Sequence, residues 1–330
     1  MRKNEKKFLI IILILLVIGL NIYLKKDKIK FYINIGSKYS KYLNEEYINS
    51  DSSIFNDEKL DKINSIDYTD LEYKNTNGKS LKLDMYGPKK NLSRGSPVII
   101  YVHGGGWAYG TKDIPEELKV SLKPFREEGY TIISAEYELM INEEIFEKQV
   151  SDIKDVVRWI YKNKDIYDFD VDNIGIIGTS SGAHLGMMAA YSGDEEFLDS
   201  DELKDYSSKV KYIIDIFGPT DLSTLEENAE KFEVDKIILN SNRNKDEIIS
   251  KFSPINYIDK KETNTLIIHS KADELVPYIN AEKLYYKLKE SKSKVEILEL
   301  NETSHDLSNT NNKELFEIGV KILKYIAKNM

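Results

Sequence analysis

The most constraining stretch of the chain is residues 174–188, Ile-Gly-Ile-Ile-Gly-Thr-Ser-Ser-Gly-Ala-His-Leu-Gly-Met-Met. Ile174 to Ile177 is a short apolar run of the kind a buried strand needs. It stops at Gly178-Thr179-Ser180-Ser181-Gly182, and an apolar helical pattern follows at once. A strand that turns directly into a helix leaves no room for side chains beside the bend, so glycines flank the serine. The turn raises Ser180 above the carboxyl edge of a sheet, at the start of a helix. Backbone N–H groups and the helix dipole there favour negative charge. A serine so placed is suited to attack a carbonyl carbon. The pattern G-x-S-x-G alone says little, because both residue types are common; its place between strand and helix gives it meaning. The plainer reading of Ser180 is a helix N-cap.

The rest of the chain supplies matching elements. Ile66 to Tyr73 and Leu81 to Tyr86 read as paired strands joined at Asn77-Gly78. Pro97 to Val102 is a continuous apolar strand, as expected for one covered on both faces. It runs into His103-Gly104-Gly105-Gly106-Trp107. A charged helix over 116–128 and a strand over Tyr130 to Ser134 follow. Val150, Ile153, Val156, Val157 and Ile160 recur at helical spacing, so 146–163 is a helix. Val210 to Phe217, Thr265 to His269 and Val295 to Leu300 are further strands; 281–290 and 313–329 are helices. Residues 222–250 are polar and read as a helical insertion over the carboxyl edge. Strands alternate with helices, which calls for an α/β fold: a mainly parallel central sheet with helices on both faces.

Ahead of this domain, assigned to 63–330, lie two other stretches. Phe8 to Leu24 is apolar but for Gly19, Asn21 and Tyr23, with Arg2, Lys3, Lys6 and Lys7 before it and Lys25, Lys26, Lys28 and Lys30 after it. That is the short end of a bilayer span. A signal peptide also begins this way, but no small-x-small cleavage site follows the run. Residues 1–30 are therefore expected to be an uncleaved, single-pass transmembrane helix preceding the fold, with the membrane as a partner. The basic flanks balance, so the positive-inside rule barely decides orientation; an extracytoplasmic catalytic domain is expected because such segments act as export signals. Residues 31–62, rich in Tyr, Asn, Ser, Lys and Glu, are a stalk or lead-in.

A net charge of −9 argues against nucleic acid as a partner. The chain has no cysteine, which removes thiolate catalysis, disulfides and cysteine-ligated metal. Its four histidines, His103, His184, His269 and His305, form no metal-ligand spacing, so no metal and no cofactor is expected. The oligomeric state is not legible.

The glycine turn at 103–106, Ser180, Asp273 and His305 all fall at carboxyl ends of strands, where open α/β sheets place their sites. A serine hydroxyl is a poor nucleophile until a base takes its proton. Histidine titrates near neutrality, and a carboxylate behind it fixes its tautomer and stabilises the imidazolium. Alternatives stand beside each residue. Ser181 is a rival nucleophile one place late in the motif. Glu274 adjoins Asp273, which could itself be a turn residue. His305 could lie on a surface loop, although no other histidine follows Asp273. His103 and His269 read as structural, and His184 as packed. Trp107 fits a pocket wall and core packing equally.

The chain resembles an α/β-hydrolase of the hormone-sensitive-lipase-like and carbohydrate-esterase-like group over roughly residues 65–330. Four stretches carry the likeness: His103 to Trp107, Gly178 to Leu185, Phe217-Gly218-Pro219-Thr220-Asp221-Leu222, and His269 to Pro277. The resemblance implies an α/β-hydrolase fold with Ser180 as nucleophile, Asp273 as acid and His305 as base. It implies an oxyanion hole made by the amides of Gly105, Gly106 and Ser181. The substrate it implies is a small-molecule or glycan-linked ester. There are departures. Ser181-Gly182-Ala183 stands where the group has Ala-Gly-Gly, Tyr137-Glu138-Leu139 where it has Tyr-Arg-Leu, and Ser270 where it has glycine. A peptidase or amidase of the prolyl-oligopeptidase type is the rival on the same fold; the HGGG turn, a lipase and esterase feature, argues against it. An anchored, inactive binding module is the rival from another class.

Overall fold

In the computed structural model, which describes residues 31, 33–38, 65–76, 78–225, 244–260 and 263–329, the apolar runs assemble into one eight-stranded sheet. The strands are β1 (Tyr68–Thr76), β2 (Lys79–Tyr86), β3 (Ser96–Val102), β4 (Thr131–Ala135), β5 (Phe169–Thr179), β6 (Tyr212–Ile216), β7 (Asn264–Ser270) and β8 (Val295–Leu300). Their order is β1-β2-β4-β3-β5-β6-β7-β8. β2 runs antiparallel to both β1 and β4, and every other pairing is parallel. Six helices matter here: α1 (Glu116–Glu127), α2 (Phe146–Lys162), α3 (Ser181–Tyr191), α4 (Lys245–Phe252), α5 (Ile279–Glu290) and α6 (Asn312–Lys328).

β3 is buried along its whole length. Alternate residues point to opposite faces of a strand, and both faces are covered. Val98, Ile100 and Val102 join one core with Val150, Ile153 and Val157 of α2 and Leu185 and Met188 of α3. Ile99 and Tyr101 join the other with Leu122 and Phe125 of α1 and Ile318, Ile322 and Ile326 of α6. Alternation cannot set register in a strand that is apolar on both faces. Shape does so between β5 and β6. Gly175 pairs with Tyr212, and a β-carbon at 175 would fall 2.0 Å from Tyr212 Cζ. Slipping the pair by one residue would drive the phenol ring into an isoleucine. That register sets Thr179 against Ile216, which is what places the following turn.

Not all of α2 is apolar. Lys74 on β1, 4% exposed, reaches Asp152 at 2.7 Å and Asp155 at 3.0 Å, and Arg158 closes the group on Asp155 at 2.7 Å. Burial costs each of these charges heavily unless it is paired. The hairpin is thereby tied to the helix at one position.

The expectation of an N-terminal transmembrane helix preceding the fold is corrected. Among the described residues no helix is long and apolar enough to cross a membrane. Residues 1–30, with the run Phe8 to Leu24, lie outside the described residues. The fold is a mostly parallel sheet with helices on both faces, and the single-pass anchor, the membrane partner and the extracytoplasmic placement are withdrawn with the helix. Of the lead-in, 31 and 33–38 are described. Phe31 and Ile35 are buried in the second core, and Phe31 packs 5.8 Å from Tyr130 and 6.5 Å from Phe125, ring to ring. Tyr130 immediately precedes β4, so this contact sits at the amino edge of the sheet. Of the expected insertion at 222–250, residues 226–243 lie outside the described residues; the part that follows contains α4.

Candidate active site

The turn at the end of β5 is as tight as its glycines suggest. Ser180 has φ 52° and ψ −121°, a conformation that side-chain-bearing residues rarely adopt. Its N–H donates to the Ile216 carbonyl at 2.8 Å, and its own carbonyl accepts from His184 in the first turn of α3. The flanking glycines are needed because backbone closes on them. A β-carbon on Gly182 would lie 2.3 Å from the carbonyl oxygens of both Val102 and His103, and one on Gly178 would lie 2.4 Å from Ala183 Cα. Those contacts hold α3 against the end of β3 and over-determine the strained serine between them.

The glycine turn follows β3 and lies beside this bend, with Gly104 against Thr179 and Ser180. Gly105 and Gly106 have φ 123° and 57°. Their amides, and that of Ser181 at the head of α3, donate to no acceptor among the described residues. His103 shapes the turn from beneath. Its Nδ1 lies 2.7 Å from the Gly104 carbonyl, its ring stacks on Tyr137 at 4.2 Å, and the Tyr137 hydroxyl donates to its carbonyl at 3.2 Å. Burial pushes the His103 pKa down. Glu138, at the position where arginine was expected, pairs with Lys79 at 2.7 Å. Its N–H donates to Asp152 Oδ2 at 2.9 Å.

Trp107 is fully buried, edge-on to Phe146 and His184. Its indole N–H donates to His184 Nδ1 at 3.0 Å. Burial pushes the His184 imidazole down to about 4. It is therefore neutral, accepting at Nδ1 and donating from Nε2 to the Phe252 carbonyl at 2.6 Å. Both residues belong to the packing between α2, α3 and α4.

The loops after β7 and β8 complete the arrangement. His305 Nε2 lies 2.8 Å from Ser180 Oγ, and His305 Nδ1 lies 2.8 Å from Asp273 Oδ2. The other carboxylate oxygen of Asp273 accepts the amides of Leu275 at 2.9 Å and Val276 at 2.8 Å. Burial pushes the Asp273 carboxyl up, but hydrogen bonds from His269, His305 and the Val276 amide outweigh it. Together they hold the group well below the usual carboxylate range. Ser181 does not take the place of Ser180: its side chain is buried, and His305 reaches Ser180 instead. Asp273, not Glu274, meets the imidazole. Among the described residues no cluster of His, Asp and Glu is placed to hold a metal.

Two supports were not singled out in the sequence. Glu314 at the start of α6 accepts from the Asn301 amide at 2.8 Å and from the Thr303 hydroxyl at 2.5 Å, which fixes the loop carrying His305. The signal for it is faint, an acid in the first turn of a helix capped by Asn311, whose Oδ1 accepts the Glu314 amide at 2.9 Å. The other is Asp215, fully buried on β6, whose Oδ1 accepts the Gly218 amide at 2.8 Å and so holds the turn after that strand.

Residues 83–288, more than half of the chain, match the family model described as BD-FAE. That span takes in Ser180 and Asp273 and ends before His305. Esterase LipC of Mycobacterium tuberculosis is 24% identical over 228 residues, 68% of this chain and 56% of that protein. Esterase LipQ of the same organism is 26% identical over 204 residues, 61% of this chain and 48% of the relative. The chain thus spans about half the length of the curated relatives it matches. Among solved structures, a truncated carbohydrate esterase from gut microbiota superposes with a TM-score of 0.64 at 23% identity, covering 79% of this chain and 96% of that one. Propionate-bound esterase 2 of Thermogutta terrifontis gives 0.62 at 19% identity, over 78% and 93%. At these identities the structural likeness is one of fold.

Proposed function

This chain belongs to the BD-FAE family and is an α/β-hydrolase-fold, esterase-like protein; from that premise we propose that it is a serine hydrolase of carboxylic esters. The observation that carries the reading is the unbroken Ser180–His305–Asp273 chain, 2.8 Å at each link, on a backbone bend that presents the serine. Ser180 Oγ attacks the ester carbonyl while His305 Nε2 takes its proton. Asp273 accepts from Nδ1–H and stabilises the imidazolium that forms. The amides of Gly105, Gly106 and Ser181 receive the charge that develops on the carbonyl oxygen. His305 then protonates the departing alcohol, and water, activated by the same imidazole, releases the acyl group from Ser180. The chemistry invokes no cofactor. The His103 to Trp107 turn supports an affinity with the hormone-sensitive-lipase-like group. The carbohydrate esterase among the structural neighbours makes sugar-borne esters a substrate class to test beside alkyl esters.

The purified protein is expected to label with a fluorophosphonate and to hydrolyse p-nitrophenyl acetate far faster than an aminoacyl p-nitroanilide. A series of esters from two to twelve acyl carbons, with an acetylated oligosaccharide, then sizes the acyl and alcohol pockets. Faster cleavage of the anilide would move the assignment to an amidase or peptidase. Neither labelling nor turnover would leave the binding-module reading.

A further inference from the structure

His305 is touched from two sides. Asp273 reaches it from the loop after β7, and the ring of Phe217, at the start of the loop after β6, packs 6.0 Å from its own. Asp273 is rigid within its turn, because the amides of Leu275 and Val276 hold its Oδ1. A different residue sets that turn against the neighbouring loop. Asn280, second in α5, is fully buried and bonds to both.

Every polar atom of its side chain is used. Oδ1 accepts the amides of Thr220 at 2.9 Å and Asp221 at 3.1 Å. Two donors at that atom fix which end of the side-chain amide is oxygen. Nδ2 donates to the Thr224 hydroxyl at 2.7 Å and to the Pro277 carbonyl at 3.0 Å. The backbone adds to this. The Asn280 N–H donates to the same Pro277 carbonyl at 3.0 Å, and its carbonyl accepts from the Thr220 hydroxyl at 2.8 Å. The bonds to Pro277 tie Asn280 to the end of the loop that carries Asp273. The bonds to Thr220, Asp221 and Thr224 tie it to the loop that Phe217 begins. Aspartate at 280 would keep an acceptor for the two amides but turn its second oxygen on the Pro277 carbonyl. Leucine would leave both amide donors buried and unpartnered. On the same helix Lys283 meets Asp221 at 2.8 Å, but that pair lies partly in solvent and contributes little.

We propose that Asn280 is a positioning residue for the ester hydrolysis. It makes the loop after β7 and the loop after β6 one body, so that Asp273 and Phe217 together hold the His305 ring in line with Ser180. Its own hydrogen bonds go to none of Ser180, His305 and Asp273; it acts through the two loops.

The kinetic side of this inference rests on the proposed serine mechanism; the geometric side does not, and it is read separately. The His305 Nδ1–H lies in a 2.8 Å bond to Asp273 Oδ2. A proton in such a bond resonates far downfield of the backbone amides, and His305→Gln identifies it by its loss. In Asn280→Ala that proton is expected to move upfield and broaden. In the same variant kcat on p-nitrophenyl acetate is expected to fall ~10–100-fold with KM little changed, the scale of a misaimed acting group. Leu122→Ala, in the core packed by α1, controls for stability alone. It is expected to lower the melting temperature while leaving the proton and kcat as in the wild type. An unmoved proton in Asn280→Ala overturns the proposal whether or not the protein cleaves esters. An unchanged kcat there, in a protein whose wild type is active, overturns the positioning role, and so does an equal loss in Leu122→Ala. If the wild type cleaves no ester, the serine reading fails and the proton alone decides this one. If Asn280→Ala does not fold, Thr224→Val carries the test by deleting one link. Its kcat is expected to fall about 5-fold, the scale of one neutral hydrogen bond, with the same displacement of the proton; no change in either measurement overturns the proposal.

Discussion

Replacing Ser180 with alanine is expected to reduce kcat for ester hydrolysis by about 10⁴–10⁶-fold. The variant keeps the bend, since alanine differs from serine by one oxygen. It also leaves His305 bonded to Asp273 at 2.8 Å, so KM and folding should change little. Whatever rate survives comes from the unpartnered amides and from substrate binding. Initial rates on p-nitrophenyl acetate, with the fluorophosphonate as an active-site titrant, measure the effect. A residual rate within tenfold of wild type would remove Ser180 as the nucleophile. Ser181 would not be an obvious replacement, because its side chain is buried and His305 bonds to Ser180.

Asp273→Asn is the second large effect, with a loss in kcat on the order of 10⁴-fold expected. The amides of Leu275 and Val276 both donate to Asp273 Oδ1, so the asparagine must keep its carbonyl oxygen there. Its NH₂ then replaces Oδ2 and points at His305 Nδ1. A donor at that position forces His305 to accept at Nδ1 and carry its proton on Nε2. Nε2 faces Ser180 at 2.8 Å, and a protonated Nε2 cannot take the serine proton. The tautomer is wrong while the shape is nearly unchanged. Steady-state kinetics on the asparagine variant, beside Glu274→Gln as a control, measure it. A loss confined to Glu274→Gln would reassign the acid.

Much of the sheet was legible because parallel strands covered on both faces must be apolar throughout. Pro97 to Val102 stood out for that reason and falls within β3. The bend at Ser180 was legible because the spacing of Gly178 and Gly182 answers to close backbone contacts. β5 was read short: its first half, Phe169 to Asn173, is polar enough to pass for a loop, yet it pairs with Ser96 and Pro97 of β3. Buried charges were invisible, because their partners are distant in sequence: Asp155 meets Lys74 of β1, while Lys154 and Arg158 meet carbonyls of the loop after α3 at Gly193, Asp194 and Glu196. Asp215 was missed for a related reason: its partner, the Gly218 amide, lies in the turn beyond the end of β6. The apolar segment at 8–24 raised the expectation of an anchor, which no described helix supports.

The backbone at Ser180 has a thermodynamic signature of its own. A side-chain-bearing residue at φ 52° and ψ −121° costs about 1–3 kcal/mol, and glycine would relieve most of it. Glycine gives back roughly 0.5–1 kcal/mol through the freer unfolded chain, so Ser180→Gly is expected to fold about 1 kcal/mol more stably and to melt higher while losing turnover on the scale of Ser180→Ala. Calorimetry of the two proteins measures the difference. A protein selected for stability alone would drift to glycine at this position. The nucleophile proposed for Ser180 would account for a serine held there against its own conformational preference, which an inert binding module would not require.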